Sequence, residues 1–499
     1  MTESRHRSED APRKDLSIAT LAVWAGEGES LVQGATQVPV VYSAAYGYPD
    51  VESWLDVALG RTPGHIYSRN TNPTVHAFEE KVRILEGAEA ATSFATGMAA
   101  VSNTLFALLA PGDRVVSAKD TYGGTNQLFL SFLPRLNVEV ELCDTSDHEQ
   151  IEAAIAKGCK VVYLESPTNP TLKVMDIARL SAAAHAVGAV AVTDNTFATP
   201  INQNPLALGS DLVLHSATKF LGGHADVLGG VLCGDAKLVG RVFHYREITG
   251  ATLDPMAAFL LIRSMKTLAL RIRQQNESAL RIARWLQAQP MVAVVNYPGL
   301  ESHAHHDVAA RQMRGYGGVL SFGLTGGFEA VKRVLPRLRL AHRAANLGAV
   351  ETIAGPPATT SHVECTPEER EAMGIPEGLE KAPASLKAGV EAALGNEELA
   401  LYWVLVDDAD QAVGNISALR EWSNWNAGFY WWVQSLYISP AYRGAGYLSL
   451  LLEAVAEEAR RHGGLDLRLH VQADNRRARA AYIRAGFSEV RYRVMLRAL

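Results

Sequence analysis

The stretch HSATKFLGGHADVLGG, residues 215–230, carries a lysine one step past an apolar run and surrounded mainly by small residues. The run before it, DLVLHSA at 211–217, has the length of a buried strand. Three more such runs precede it: RVVSA at 114–118, KVVYLES at 160–166 and AVAVTDN at 189–195. Amphipathic stretches such as DIARLSAAAHAVG separate them. Short apolar runs alternating with helical patterns predict an α/β domain, a parallel sheet covered by helices on both faces. Ligands of such sheets gather at the carboxyl ends of the strands, where TDN, HSATK and ESPTNP lie.

Lys219 is the first candidate for chemistry. A lysine desolvated at a strand end can form a Schiff base with a carbonyl, whereas a surface lysine would do nothing there. Its companions favour the chemical reading. Asp194 can hold a pyridinium nitrogen protonated, as pyridoxal phosphate requires. Gly97 and Met98, in SFATGMAAV at 93–101, open a helix whose N–H groups suit a phosphate. Ser216 and Thr218 add hydroxyls, and Tyr122 in DTYGGT offers a ring to stack on a flat cofactor. Each has a bland alternative, a capped Asp, a packing glycine or a core tyrosine, but their joint occurrence makes the bland reading improbable.

The totals bound the rest. A chain of 499 residues is long enough for two to four domains, and 48% hydrophobic with 20% charged residues is ordinary for a globular protein. A net charge of -6 gives no reason to expect nucleic acid. Cys143, Cys159, Cys233 and Cys365 show no paired metal-ligand spacing and read as reduced thiols. The N-terminus MTESRHRSEDAPRKD lacks the apolar run of a signal peptide, and no segment has a membrane span's length, so a cytoplasmic protein is expected. The long helical pattern at 258–289 leads into strand-like VAVVNYP and VLSFGL, a smaller α/β domain. The expected divisions are an N-terminal arm at 1–60, a large cofactor-binding domain at 61–253, a small domain at 254–379 and a third unit at 380–499.

From about Thr20 to Leu379 the sequence resembles the cystathionine γ-synthase, cystathionine γ-lyase and methionine γ-lyase family, pyridoxal-phosphate enzymes of fold type I. The resemblance rests on YSRNTNPT at 67–74, SFATGMAAV, DTYGGT, ESPTNPTLKVMDI at 165–177, TDNTFATP at 193–200, HSATKFLGGHADVLGG and YPGLESHAHHDVAARQMRGYGGVLSF at 297–322. It implies that Lys219 is the Schiff-base lysine and proton shuttle, and that Asp194 pairs with the pyridine nitrogen. Tyr122 would stack on the ring, Gly97, Met98, Ser216 and Thr218 would hold the phosphate, and Asn169 would lie beside them. Tyr67 and Arg69 would reach the phosphate of a neighbouring subunit, so a homodimer or homotetramer with shared sites is implied. The histidines of HAHH at 303–306 lie in a loop that is also polar in the resembling enzymes, and no metal is expected there.

In that family the phrase ending IPEGL is followed by a strand V-R-x-S-V-G-I-E-D, whose arginine grips the substrate α-carboxylate. Here Leu379 is followed by EKAPASLKAGVE, and the next arginine is Arg420. The usual clamp is therefore missing from its usual place. Asn169, the backbone near Thr352 or a residue of the third unit would have to replace it, unless the substrate is larger or the enzyme inactive. The third unit resembles the GNAT N-acetyltransferases. SLYISPAYRGAGYLSLLLEAV at 435–455 reads as strand, glycine-rich turn and helix, and NRRARAAYIRAGF follows at 475–487. By resemblance Arg443, Gly444 and Gly446 would bind the pyrophosphate of acetyl-CoA and Tyr482 would protonate the departing thiolate, although Leu448 stands where Gly or Ala is usual. Both partners look shortened at the join, with the two units interlocked. The four tryptophans from Trp422 to Trp432 read as packing or as an acceptor pocket.

The function implied is γ-replacement or γ-elimination on a γ-substituted amino acid through a vinylglycine-type intermediate, with a nucleophilic co-substrate. S-adenosylmethionine or O-acylhomoserine would be the donor, in specialised biosynthesis. One alternative makes acyl transfer from acetyl-CoA the main activity. Another makes the GNAT-like unit a structural domain without chemistry.

Overall fold

A computed structural model describes residues 16–360 and 392–490, apart from 29, 30, 33, 397, 408, 409, 440, 441, 443–445, 472–475 and 489. The chain divides into two compact units, Met1–Gly378 and Leu379–Leu499.

In the first unit, seven strands, β1 (Ala90–Phe94), β2 (Arg114–Ala118), β3 (Glu139–Cys143), β4 (Val161–Glu165), β5 (Val190–Asp194), β6 (Leu212–Ser216) and β7 (Gly230–Gly234), form one sheet in the order β1-β7-β6-β5-β4-β2-β3. All four expected strands are present. Every residue of β4 is buried, as a central strand between two helical layers requires. The sheet is not wholly parallel, because β7 pairs antiparallel with both β6 and β1. A parallel return needs a crossover, usually a helix, and the link from Ala217 to Gly229 carries the lysine turn instead.

The helices cover both faces. Gly97–Leu108 and Ala236–Thr249 pack on one, around Phe94, Leu105, Tyr163 and Val242. His148–Ala156 and Ile177–Ala186 pack on the other, around Val116, Ile151, Leu164 and Leu180. Local signals start them: Thr96 caps the first through Ala99 N–H, and Asp176 caps the last through Arg179 N–H. The expected single helix over 258–289 is two, Pro255–Met265 and Leu268–Gln287. The bend between them lets Lys266 reach the buried Glu27 (2.8 Å), which also pairs with Lys81 (2.9 Å). Beyond them β8 (Val292–Asn296) and β9 (Ser321–Leu324) form an antiparallel pair.

The second unit is a sheet of β10 (Leu401–Val406), β11 (Ala412–Ser423), β12 (Gly428–Ile438) and β13 (Leu467–Leu469), with the helix Tyr447–Arg461 packed on Trp431, Ile416 and Val433. Trp431 is fully buried, Trp425 almost wholly exposed, and Trp432 stacks on His470. The tryptophans thus divide between core and surface. The join at 379–391, most of the expected helix LKAGVEAAL, Cys365, Arg443 and Gly444 lie outside the described residues. Cys143, Cys159 and Cys233 are free thiols. Among the described residues no helix is long and apolar enough to cross a membrane.

Candidate active site

The carboxyl ends of β2, β4, β5 and β6 and the start of the helix Gly97–Leu108 supply the site. Lys219 follows β6. Its Nζ donates to Asn346 Oδ1 at 2.9 Å, and burial lowers the ammonium below its ordinary pKa. Asn346 comes from a loop that presses on the lysine turn. Gly348 sits there with φ +83°, and a Cβ on it would lie 2.7 Å from Phe220 N, while Val350 N–H donates to Gly223 O at 3.0 Å.

The remaining candidates form a connected set. Lys219 N–H bonds Ser216 O at 3.1 Å, Ser216 N–H bonds Thr196 Oγ1 at 2.8 Å, and Thr196 N–H bonds Asp194 Oδ1 at 2.9 Å. Asp194 also accepts from Tyr163 Oη at 3.4 Å, and burial raises its pKa. Gly97 lies so close to Ser216 that a Cβ would meet Ser216 Cβ and Oγ at 2.6 Å. Thr96 takes the Ala99 and Ala100 N–H groups, and among the described residues those of Gly97 and Met98 have no protein partner. The Thr218 hydroxyl also meets Gly229, accepting from its N–H at 3.0 Å and facing its O at 3.3 Å. Tyr122 is 40% exposed, and a Cβ on Gly124 would meet the Tyr122 ring at 2.8 Å and Met98 Sδ at 3.1 Å.

Sequence reasoning missed Glu165. It is buried beside Asp194 in the β4–β5 register, and it accepts N–H bonds from Tyr122 and Asn169, both at 2.9 Å. Burial and then Asp194 push its pKa well up, and the two N–H donors oppose them. Its signal was the acid at a strand end in ESPTNP. Asn346 and Arg246 were missed as well. The Arg246 guanidinium is buried against Glu79, Ser93 O and the Asn70 carbonyl, so it pins the segment that carries Tyr67 and Arg69.

Tyr67 and Arg69 themselves are exposed, with the guanidinium 5.3 Å over the Tyr67 ring, and none of their described contacts reaches the Lys219 set. In the second unit Gly446 precedes the helix Tyr447–Arg461 with φ +87°, and Tyr482 packs against Phe487, its pKa raised by burial.

The histidines of the run pack and hydrogen-bond within the fold. His303 Nδ1 accepts from His305 N–H (3.2 Å), so its Nε2 donates to Leu172 O (3.0 Å), and His305 stacks on His148. Burial, then His305, depress the His303 pKa to about 4. The neutral ring is the form the fold holds. Stability is therefore full above the ordinary value and falls as pH drops from about 6.5 towards about 4, by of order 1–2 kcal/mol for this partly exposed ring. Urea midpoints measured across that window should fall less in His303→Gln, and an equal slope would refute the assignment.

The chain resembles known proteins over both of its units. Residues 19–392 match the family of Cys/Met metabolism PLP-dependent enzymes. The chain belongs to that family. Residues 367–487 match the acetyltransferase (GNAT) family, so the two matches overlap at 367–392. Cystathionine gamma-synthase 1 of Arabidopsis thaliana is 42% identical over 366 residues, 73% of this chain and 65% of that protein. The L-methionine gamma-lyase of Fusobacterium nucleatum subsp. polymorphum is 38% identical over 377 residues, 75% of this chain and 95% of that one. Among solved structures, cystathionine gamma synthase from Xanthomonas oryzae pv. oryzae, in complex with cystathionine, gives a TM-score of 0.69 at 36% identity, over 76% of this chain and 99% of that one.

The residues present fit pyridoxal phosphate. Among the described residues the N–H groups of Gly97 and Met98, at the start of a helix, have no partner, and glycine at 97 lets this turn pack against Ser216. Asp194 and the desolvated Lys219 supply the anion and the amine.

Proposed function

We propose that residues 1–379 catalyse γ-replacement or γ-elimination on a γ-substituted amino acid, with O-acylhomoserine or S-adenosylmethionine as donor, in specialised biosynthesis in the cytoplasm. Family membership supports the reaction class. The observation that carries the reading is Lys219 itself, a partly buried amine of lowered pKa at the end of β6, held by one neutral side chain. Burial that disfavours the ammonium favours the neutral amine that this chemistry needs.

Pyridoxal phosphate, when bound, supplies the electron sink that makes the substrate's Cα and Cβ protons removable. The chain's own groups do the remainder. Lys219 Nζ takes and returns those protons, and Asn346 holds the amine when it is free. Asp194 keeps a proton on the ring nitrogen, with Thr196 N–H and Tyr163 Oη fixing its carboxylate. The N–H groups of Gly97 and Met98, with Ser216, bind phosphate, and Tyr122 covers the ring. Tyr67 and Arg69 complete the phosphate site of a second copy, which makes the active form a homodimer or homotetramer. Asn169, whose side chain has no partner among the described residues, takes over part of the carboxylate binding.

The test is the visible spectrum of the purified protein, titrated separately with O-acetylhomoserine, cystathionine, methionine and S-adenosylmethionine. A band near ~420 nm that shifts with one donor identifies the substrate class. Absence of any band refutes the reading.

A second reading concerns residues 380–499. Residues 367–487 match the acetyltransferase (GNAT) family, and Gly446, with φ +87°, precedes the helix Tyr447–Arg461. That match favours binding of acetyl-CoA by this unit. Calorimetric titration of the full chain with acetyl-CoA decides between an acyltransferase unit and a structural one.

A further inference from the structure

Two loops meet at the candidate site, one after β2 bearing Tyr122 and one after β4 bearing Asn169. They are tied at two points by buried carboxylates. Glu165 Oε2 accepts from Tyr122 N–H and Oε1 from Asn169 N–H, both at 2.9 Å. Asp120, fully buried two residues before Tyr122, accepts from Thr171 Oγ1 at 3.2 Å and from Lys173 Nζ at 2.5 Å, two and four residues past Asn169. Each tie therefore spans from one loop to the other.

We propose that Glu165 and Asp120 are positioning residues that lock the ring-stacking loop of Tyr122 and the substrate-side loop of Asn169 into one frame. The proposal rests on the reading that the Lys219 site holds pyridoxal phosphate. Its physical basis is the placement of the ties. A buried carboxylate is unfavourable unless its oxygens are bonded, and here both Glu165 oxygens bond loop backbone rather than neighbouring strands. The two bonds fix an N–H of each loop to the same buried side chain, so two loops that would otherwise move separately share one position. The consequence is a coupling. Loosening the frame weakens the hold on the cofactor through Tyr122 and on the amino acid through Asn169 at once, although neither carboxylate touches either molecule.

Glu165→Gln tests this directly. The amide keeps one acceptor oxygen and turns an NH₂ group towards the other N–H, so one tie breaks. Holo-protein is diluted to measure the rate of cofactor release, and is titrated spectroscopically with glycine, which reports amino and carboxylate binding without turnover. Both constants should worsen by about 10-fold, the effect of one lost buried hydrogen bond. A merely structural role would lower the melting temperature and leave both constants unchanged in the folded variant, and that result overturns the proposal. Should Glu165→Gln not fold, Asp120→Asn loosens the same frame from its other end and is held to the same two readouts. Wild-type protein without a visible band would overturn the reading of the Lys219 site. A wild-type band with unchanged constants in the variants overturns the frame alone.

Discussion

Lys219→Ala should lose turnover by at least ~10³-fold, because no other described amine can take its place as base and covalent anchor. The side chain is held by a single hydrogen bond, to Asn346, and its charged form is already disfavoured by burial. Removing it therefore leaves no buried charge behind, only one neutral amide that can bond water, and the fold should survive with little change in melting temperature. Activity and stability are predicted to separate. The measurement is turnover of O-acetylhomoserine or cystathionine, whichever the wild type accepts, alongside the visible band and thermal unfolding. Retained turnover in the variant would remove the foundation of the functional assignment.

Asp194→Asn should reduce turnover by about 10²-fold or more while leaving the cofactor bound, since a preorganised charge in a dry site is among the larger catalytic contributions. The substitution is nearly isosteric. Asparagine's oxygen can still accept from Thr196 N–H, so the turn after β5 keeps its bond. What disappears is the negative charge that holds a proton on a ring nitrogen. Glu165 lies beside Asp194, but its oxygens are taken by Tyr122 and Asn169, so it cannot substitute. Steady-state kinetics should show the loss in kcat. A variant with near wild-type kcat would mean that Asp194 serves only the fold.

Much of the site was legible because its residues occur at strand ends and helix starts. Lys219, Asp194, Ser216 and Gly97 follow from the period of the apolar runs and the small residues next to them. The reversal of β7 was not legible, since a stretch of mostly small residues does not say whether the chain crosses over or turns back. The bond of the Thr218 hydroxyl with Gly229, 11 residues on, was not legible either. Asn346, Glu165 and Arg246 escaped because their partners are distant in sequence: 127 residues separate Lys219 from Asn346, and 43 separate Tyr122 from Glu165.

The sequence by itself determined the α/β class, the strands that carry the chemistry and the groups able to hold a phosphate, an aromatic ring and a protonated nitrogen. These are properties of residue type and local spacing, which helix caps and strand periodicity express within a few residues. Only the tertiary structure showed which polar groups bond within the fold: the Thr218 hydroxyl with Gly229 and the Glu165 carboxyl with Tyr122 and Asn169, while the N–H groups of Gly97 and Met98 have no partner among the described residues. The reason is that a buried donor or acceptor takes its partner from whatever packing brings near, and packing joins parts of the chain that sequence order keeps far apart.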